Sequence, residues 1–153
     1  MNDHDPGDSP SFAAPEAVEE IHAAPDPLLA ILVEAANKFD ADIGLTLYVS
    51  GTVISGILVS GKRFFELMAD WLTAEGAQGL ADSLARPIAE MFSTPSTEPG
   101  DEEPADLSAV YIHLREARVF ASGSDKPLPE TLWRGRLSHV SGWSLGTMKA
   151  SQT

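Results

Sequence analysis

Between Ile43 and Ser60 the chain alternates with a period of two and is interrupted once, at Ser50-Gly51. In Ile43-Gly44-Leu45-Thr46-Leu47-Tyr48-Val49 the odd positions are apolar and the even ones small, polar or amphipathic, the pattern of a strand with one face in a core. Ser50-Gly51 is a two-residue turn signal, because glycine takes the positive φ that hairpin turns demand. Val53 to Ser60 is the returning strand. Val53, Ile57 and Val59 fall on one of its faces and Ile54 and Leu58 on the other, so both faces are expected to be partly covered. Gly56 within it predicts a bend or bulge. A chain whose centre is such a hairpin builds an antiparallel sheet around it.

The flanking segments supply helices. Asp26 is a good N-cap and Pro27 suits the first helical position, where its missing N–H has no partner to lose. Leu28, Ile31, Leu32, Ala35 and Phe39 follow at helical spacing and predict an apolar stripe packed on the sheet, ending near Asn37, Lys38 and Asp40. A second helix starts at Ser60 or Gly61 and presents Phe64, Phe65, Leu67, Met68, Trp71 and Leu72, a face broad enough to close one end of a curved sheet. Ala77 to Phe92 reads as a weaker helix carrying Leu80, Leu84, Ile88 and Met91. Pro87 should kink or divide it by clashing with the Ser83 carbonyl.

Strands resume late in the chain. Val110, Ile112 and Leu114 alternate with Tyr111, His113 and Arg115, and Glu116-Ala117 breaks the alternation before Arg118, Val119 and Phe120, which predicts a second bulge. Ser122 to Glu130 is a loop. Trp133, Gly135, Leu137 and His139 alternate with Arg134, Arg136 and Ser138, giving one apolar face and one with two guanidiniums. Ser141-Gly142 is a further hairpin-turn signal, and Trp143, Leu145 and Thr147 form a short last strand. The expected fold is α+β: a strongly bent antiparallel sheet of about five strands, resembling a small open barrel, with an N-terminal helix and a helical insertion between strands.

Charge divides the chain further. The 153 residues carry a net charge of −13. Met1 to Asp26 contributes −7 with no Lys or Arg, and Ser93 to Ser108 another −5, and both stretches are rich in proline. Low hydrophobicity with high charge cannot recover the entropy of ordering, so a flexible acidic tail (1–26) and a flexible acidic linker (93–108) are expected. Residues 27–148 then form one domain, followed by a flexible end (149–153). Ala109 to Thr153 is the only basic part, at +3.

Much chemistry is excluded. There is no cysteine, so disulfides, thiol nucleophiles and thiolate metal sites are ruled out. The N-terminus lacks the basic and apolar regions of a secretory signal, and no run reaches the ~18 apolar residues that span a bilayer. Neither a Walker A loop nor a G-x-G-x-x-G loop is present, the G-x-S-x-G string at Gly142-Trp143-Ser144-Leu145-Gly146 falls in the short last strand with no helix after it to make an elbow, and Ser60-Gly61-Lys62 is better read as a turn capping a helix. Among four histidines, His4 and His22 fall in the acidic tail. Only His113 and His139 could meet across the sheet, and no carboxylate spacing completes a metal or acid/base set with them. No catalytic residue, metal or cofactor is expected. A net charge of −13 also opposes binding to nucleic acid, whose affinity comes from neutralising phosphate.

One set of segments is recognisable. Leu45 to Gly51, Ile54 to Ser60 with Phe64-Phe65-Glu66, Tyr111-Ile112-His113-Leu114, Trp133-Arg134-Gly135-Arg136-Leu137 and Val140-Ser141-Gly142-Trp143-Ser144-Leu145-Gly146, in this order and spacing, resemble the gas vesicle accessory protein U family, GvpU. The resemblance implies a non-enzymatic cytoplasmic accessory protein, associated with gas vesicle clustering through self-association, whose partners are itself and the vesicle shell proteins. The acidic tail and the acidic linker match no part of that family. The residues themselves fit an adaptor: Arg115, Arg118, Arg134 and Arg136 can receive acidic segments of neighbouring copies or of the shell, with Trp133, Trp143 or Tyr111 adding apolar contact. The competing readings are an oligomeric small β-barrel that binds nucleic acid or a small ligand, with the same arginines and Tyr111 and Trp133 as its surface, and a hydrolase using His113 and His139.

Overall fold

The computed structural model describes residues 24–93, 110–124 and 126–149. Nearly all of the acidic tail and acidic linker, and the last four residues, lie outside the described residues. Helix α1 spans Pro27–Phe39. Its start is fixed as the composition demands, with Asp26 Oδ1 accepting the Leu28 and Leu29 backbone N–H groups at 2.8 and 3.1 Å. Its end is fixed by Asp40 in the left-handed region, with φ of 50°.

Strands β1 (Ile43–Val49) and β2 (Thr52–Leu58) form the anticipated hairpin. Ser50 and Gly51 both have positive φ, 49° and 78°, the signature of a turn whose twist matches its strands. Helix α2 runs Gly61–Ala74. A helical turn at Gln78–Leu80, a π-helical turn at Ala81–Ala85 and helix α3 (Arg86–Met91) follow. The π turn is how the chain admits Pro87: the wider turn takes the Ser83 carbonyl out of the path of the pyrrolidine ring. Strand β3 (Tyr111–Phe120) is bulged between Leu114 and Ala117, with Glu116 at φ 50°. Strands β4 (Thr131–Arg136) and β5 (Gly142–Leu145) complete one sheet in the order β4-β3-β2-β1-β5, every neighbour antiparallel. The second expected irregularity, at Gly56, appears as a register shift between Ser55 and Ile57.

Consecutive strands β4 and β5 sit at opposite edges of this sheet. Ser141-Gly142 is therefore not a hairpin turn. The link between them is Leu137–Ser141, which includes a 3₁₀ turn at Leu137–His139. Five residues partly wound in this way reach no more than about 15 Å, whereas five flat strands are about 19 Å across. The sheet must curl to bring its edges together, and Leu137, fully buried, packs in the cluster with α1 on that side. The curl stops short of closure, because β4 and β5 do not pair.

Each face of the sheet carries a helical layer. On one, Leu29, Val33 and Ala36 of α1 meet Leu45, Leu47, Ile54, Leu58, Ile112 and Leu114. On the other, Phe64 and Phe65 of α2 with Ala89 and Phe92 cover Ile57 and Leu132. Helix α2 thus lies across a face instead of closing an end. Beside it the chain after β5 folds back over the same face: Gly146 N–H donates to Gly44 O at 2.8 Å, Thr46 Oγ1 to Gly146 O at 2.9 Å, and Met148 N–H to Ser55 Oγ at 2.7 Å.

Two helical faces differ from the periodicity-based expectation. In α1 the buried face is Leu29, Val33 and Ala36, with Leu32 partly packed, while Leu28, Ile31 and Phe39 are 63, 58 and 70% exposed. Apolar residues cover an arc of about 200° on this helix, twice what one sheet face needs, and two overlapping stripes satisfy the same spacing. In the second helical region Ala81, Ala85 and Ala89 are buried, while Leu80, Leu84 and Met91 point outward, as does Trp71 of α2. Alanines at four-residue spacing let that segment approach Ala69 of α2 closely.

Candidate interaction surface

The β3–β4 ladder sets Tyr111 opposite Arg136 and His113 opposite Arg134. Both arginines lie on the edge strand, two residues apart and so on one face. Arg134 is held from two sides: its guanidinium sits 3.6 Å over the Tyr111 ring, and its Nε donates to His113 Nε2 at 3.1 Å. An imidazole that accepts at Nε2 carries its proton on Nδ1 and is neutral. His113 is 2% exposed, its ring 4.7 Å from that of Phe64, 5.9 Å from Phe65 and 6.4 Å from Phe92. Burial among these rings, reinforced by the Arg134 charge, pushes its pKa down to about 4. The hydrophobic layer between α2 and the sheet thereby fixes an exposed guanidinium through a buried neutral base. Arg136, exposed beside it, has no ion pair among the described residues.

The other residues singled out from sequence are placed differently. Arg115, at the bulge, pairs with Asp42 at 2.8 Å and with Glu116. Arg118 pairs with Glu130 across the loop before β4. These two charges are already balanced within the molecule. Trp133 and Trp143 lie on the opposite face of the sheet, partly buried against the α1 cluster. The Trp133 indole covers Gly135, where an added Cβ would run into the ring, so glycine leaves it room. The structure thus brings Tyr111, Arg134 and Arg136 together and adds His113 as their anchor. Strand alternation carries enough signal to put His113 and Arg134 on one face, but the ladder register that makes them neighbours is a tertiary fact.

His139 sits exposed in the 3₁₀ turn, outside the ladder, and does not face His113, whose cross-strand partner is Arg134. Among the described residues no group of three or more His, Cys, Asp or Glu is placed to hold a metal ion. A shallow cleft of about 400 Å³ between α2 and α3 is lined by Lys62, Arg63 and Arg86 and by Glu66, Asp70 and Glu90, charges that largely neutralise one another. Ser60-Gly61-Lys62 caps α2: Ser60 Oγ accepts the Arg63 N–H at 3.1 Å and donates to Asp40 Oδ1 at 2.7 Å, and the Gly61 N–H goes to Asn37 Oδ1 at 2.9 Å.

A family model described as gas vesicle protein GvpU-like matches residues 26–148, which is the whole described fold apart from its outermost residues. The chain belongs to the GvpU-like family. No curated protein and no solved structure matches it. As a GvpU-like, gas vesicle-related protein it presents Arg134 and Arg136 on the edge of its sheet, and no helix among its described residues is long and apolar enough to cross a membrane.

Proposed function

We propose that this GvpU-like protein is a non-enzymatic accessory protein that self-associates in the cytoplasm and so promotes or regulates the clustering of gas vesicles. The observation that carries the reading is the β4 edge: Arg134, anchored on Tyr111 and His113, and Arg136, without an ion pair among the described residues, on a chain whose net charge is −13. The complementary charge is in the same sequence, −7 in residues 1–26 and −5 in 93–108. An acidic segment of a neighbouring copy, or of a shell protein, meets the guanidinium pair. Each exposed contact is worth ~0–1 kcal/mol. Repetition over a vesicle surface turns such contacts into clustering.

The test reverses the edge. Arg134→Glu with Arg136→Glu should lower the light scattering of the purified protein at about 0.15 M salt, and the variant should respond little to about 1 M salt, where charge contacts are screened. Scattering equal to that of the wild type at both salt levels would remove the guanidinium edge from the contact.

A further inference from the structure

Helix α1 keeps an apolar stripe that no other element among the described residues covers. Leu28, Ile31 and Phe39 are more than half exposed and, with the partly exposed Ala35, run in line along the helix beside the face that packs on the sheet. The stripe reads nearly the same in both directions, with large residues at its ends and Ile31 and Ala35 between. Laid antiparallel on a copy of itself, it sets Phe39 against Leu28 at the two ends and Ile31 against the smaller Ala35 between them. Charge favours the same occupant. The chain as a whole is strongly acidic, yet α1 holds only Glu34 and Lys38 and is neutral, so two molecules that repel elsewhere can approach here.

We propose that the outer face of α1 is a contact between two copies of this chain, made by antiparallel packing of α1 on its counterpart. It rests on the reading that the protein self-associates, and it adds a second, apolar surface to the charged β4 edge. Three partly exposed side chains offer a few hundred Å². A stable complex needs roughly 800 Å² per partner. The contact is therefore weak, with a dissociation constant on the order of 0.1–1 mM, and acts where copies are concentrated on a surface.

Sedimentation velocity of the full chain at about 1 M salt isolates this contact, because screening removes the charged one. The wild type should gain mass between ~10 µM and ~1 mM. Ile31→Ser with Phe39→Ser should stay monomeric over that range, and Trp71→Ser, a change at an equally exposed apolar residue of α2, should behave as the wild type. Association of the double variant equal to the wild type overturns the contact. A wild type that associates at about 0.15 M salt but not at 1 M overturns it and leaves the charge-driven reading standing. A monomer at both salt levels overturns both. Since the chain has no cysteine, Ile31→Cys with Ala35→Cys tests the geometry directly: oxidation should give disulfide-linked dimers, and their absence excludes the antiparallel register. A thiol at position 31 that resists a bulky maleimide in the monomer would assign the stripe to another segment of the same chain, and again overturn the proposal.

Discussion

The imidazole of His113 is enclosed by Phe64, Phe65 and Phe92 and faces one charged group, Arg134, through the hydrogen bond from Arg134 Nε. Protonation would bury a cation against another cation, which is why its pKa falls from 6.5 to about 4. The unfolded chain takes up a proton near pH 6.5 and the folded chain only near pH 4, so between these values the unfolded state holds more protons and stability rises with pH. Conversely, the contribution is fully present above about pH 6.5 and is lost as pH falls toward 4, by on the order of 2–3 kcal/mol. Replacing His113 by Phe removes this loss. Urea unfolding from pH 7.5 to 4.5 should show the His113→Phe variant gaining on the wild type by about 2 kcal/mol as pH falls. Parallel stability curves would mean that His113 protonates as readily in the folded protein as in the unfolded one.

At the level of elements, the two helical layers are tied together before they are packed. Asn37 and Asp40, at the end of α1, accept the hydrogen bonds of Gly61 and Ser60, which open α2 on the other face of the sheet. Gly61 and Ser60 are both buried, so a lost partner is not replaced by water. Asn37→Ala should therefore lower the urea midpoint by the equivalent of about 1–2 kcal/mol with the m-value unchanged. An unchanged midpoint would show that the junction is not needed. The sequence announces this region only in part. The hairpin, both bulges and the N-cap are legible because Gly51, Gly56, Glu116-Ala117 and Asp26 impose local backbone geometry. The buried side of α1 is not, since Leu29, Val33 and Ala36 compete with Leu28, Ile31 and Phe39 at the same period, and only the position of the sheet decides. Likewise the arginines are visible as a basic strand pattern, but the partners that occupy Arg115 and Arg118, Asp42 and Glu130, come from separate elements.

For the whole molecule, association is a contest between ranges. The net charge of −13 acts at long distance, whereas the β4 arginines and the α1 stripe act only at contact. At about 10 mM salt the Debye length is roughly 30 Å, comparable to the molecule, and like-charged copies are held apart before either surface can meet. Near 0.15 M it shrinks to about 8 Å, which removes the repulsion between centres while leaving close arginine–carboxylate pairs in force. At about 1 M it is roughly 3 Å and those pairs weaken too, so only the apolar contact persists. The second virial coefficient of the full chain should accordingly be positive at the lowest salt, most negative at the intermediate one, and less negative at the highest. A steady rise from the lowest salt upward would show that opposite charges find each other despite the net repulsion, and that the acidic segments steer association instead of restraining it.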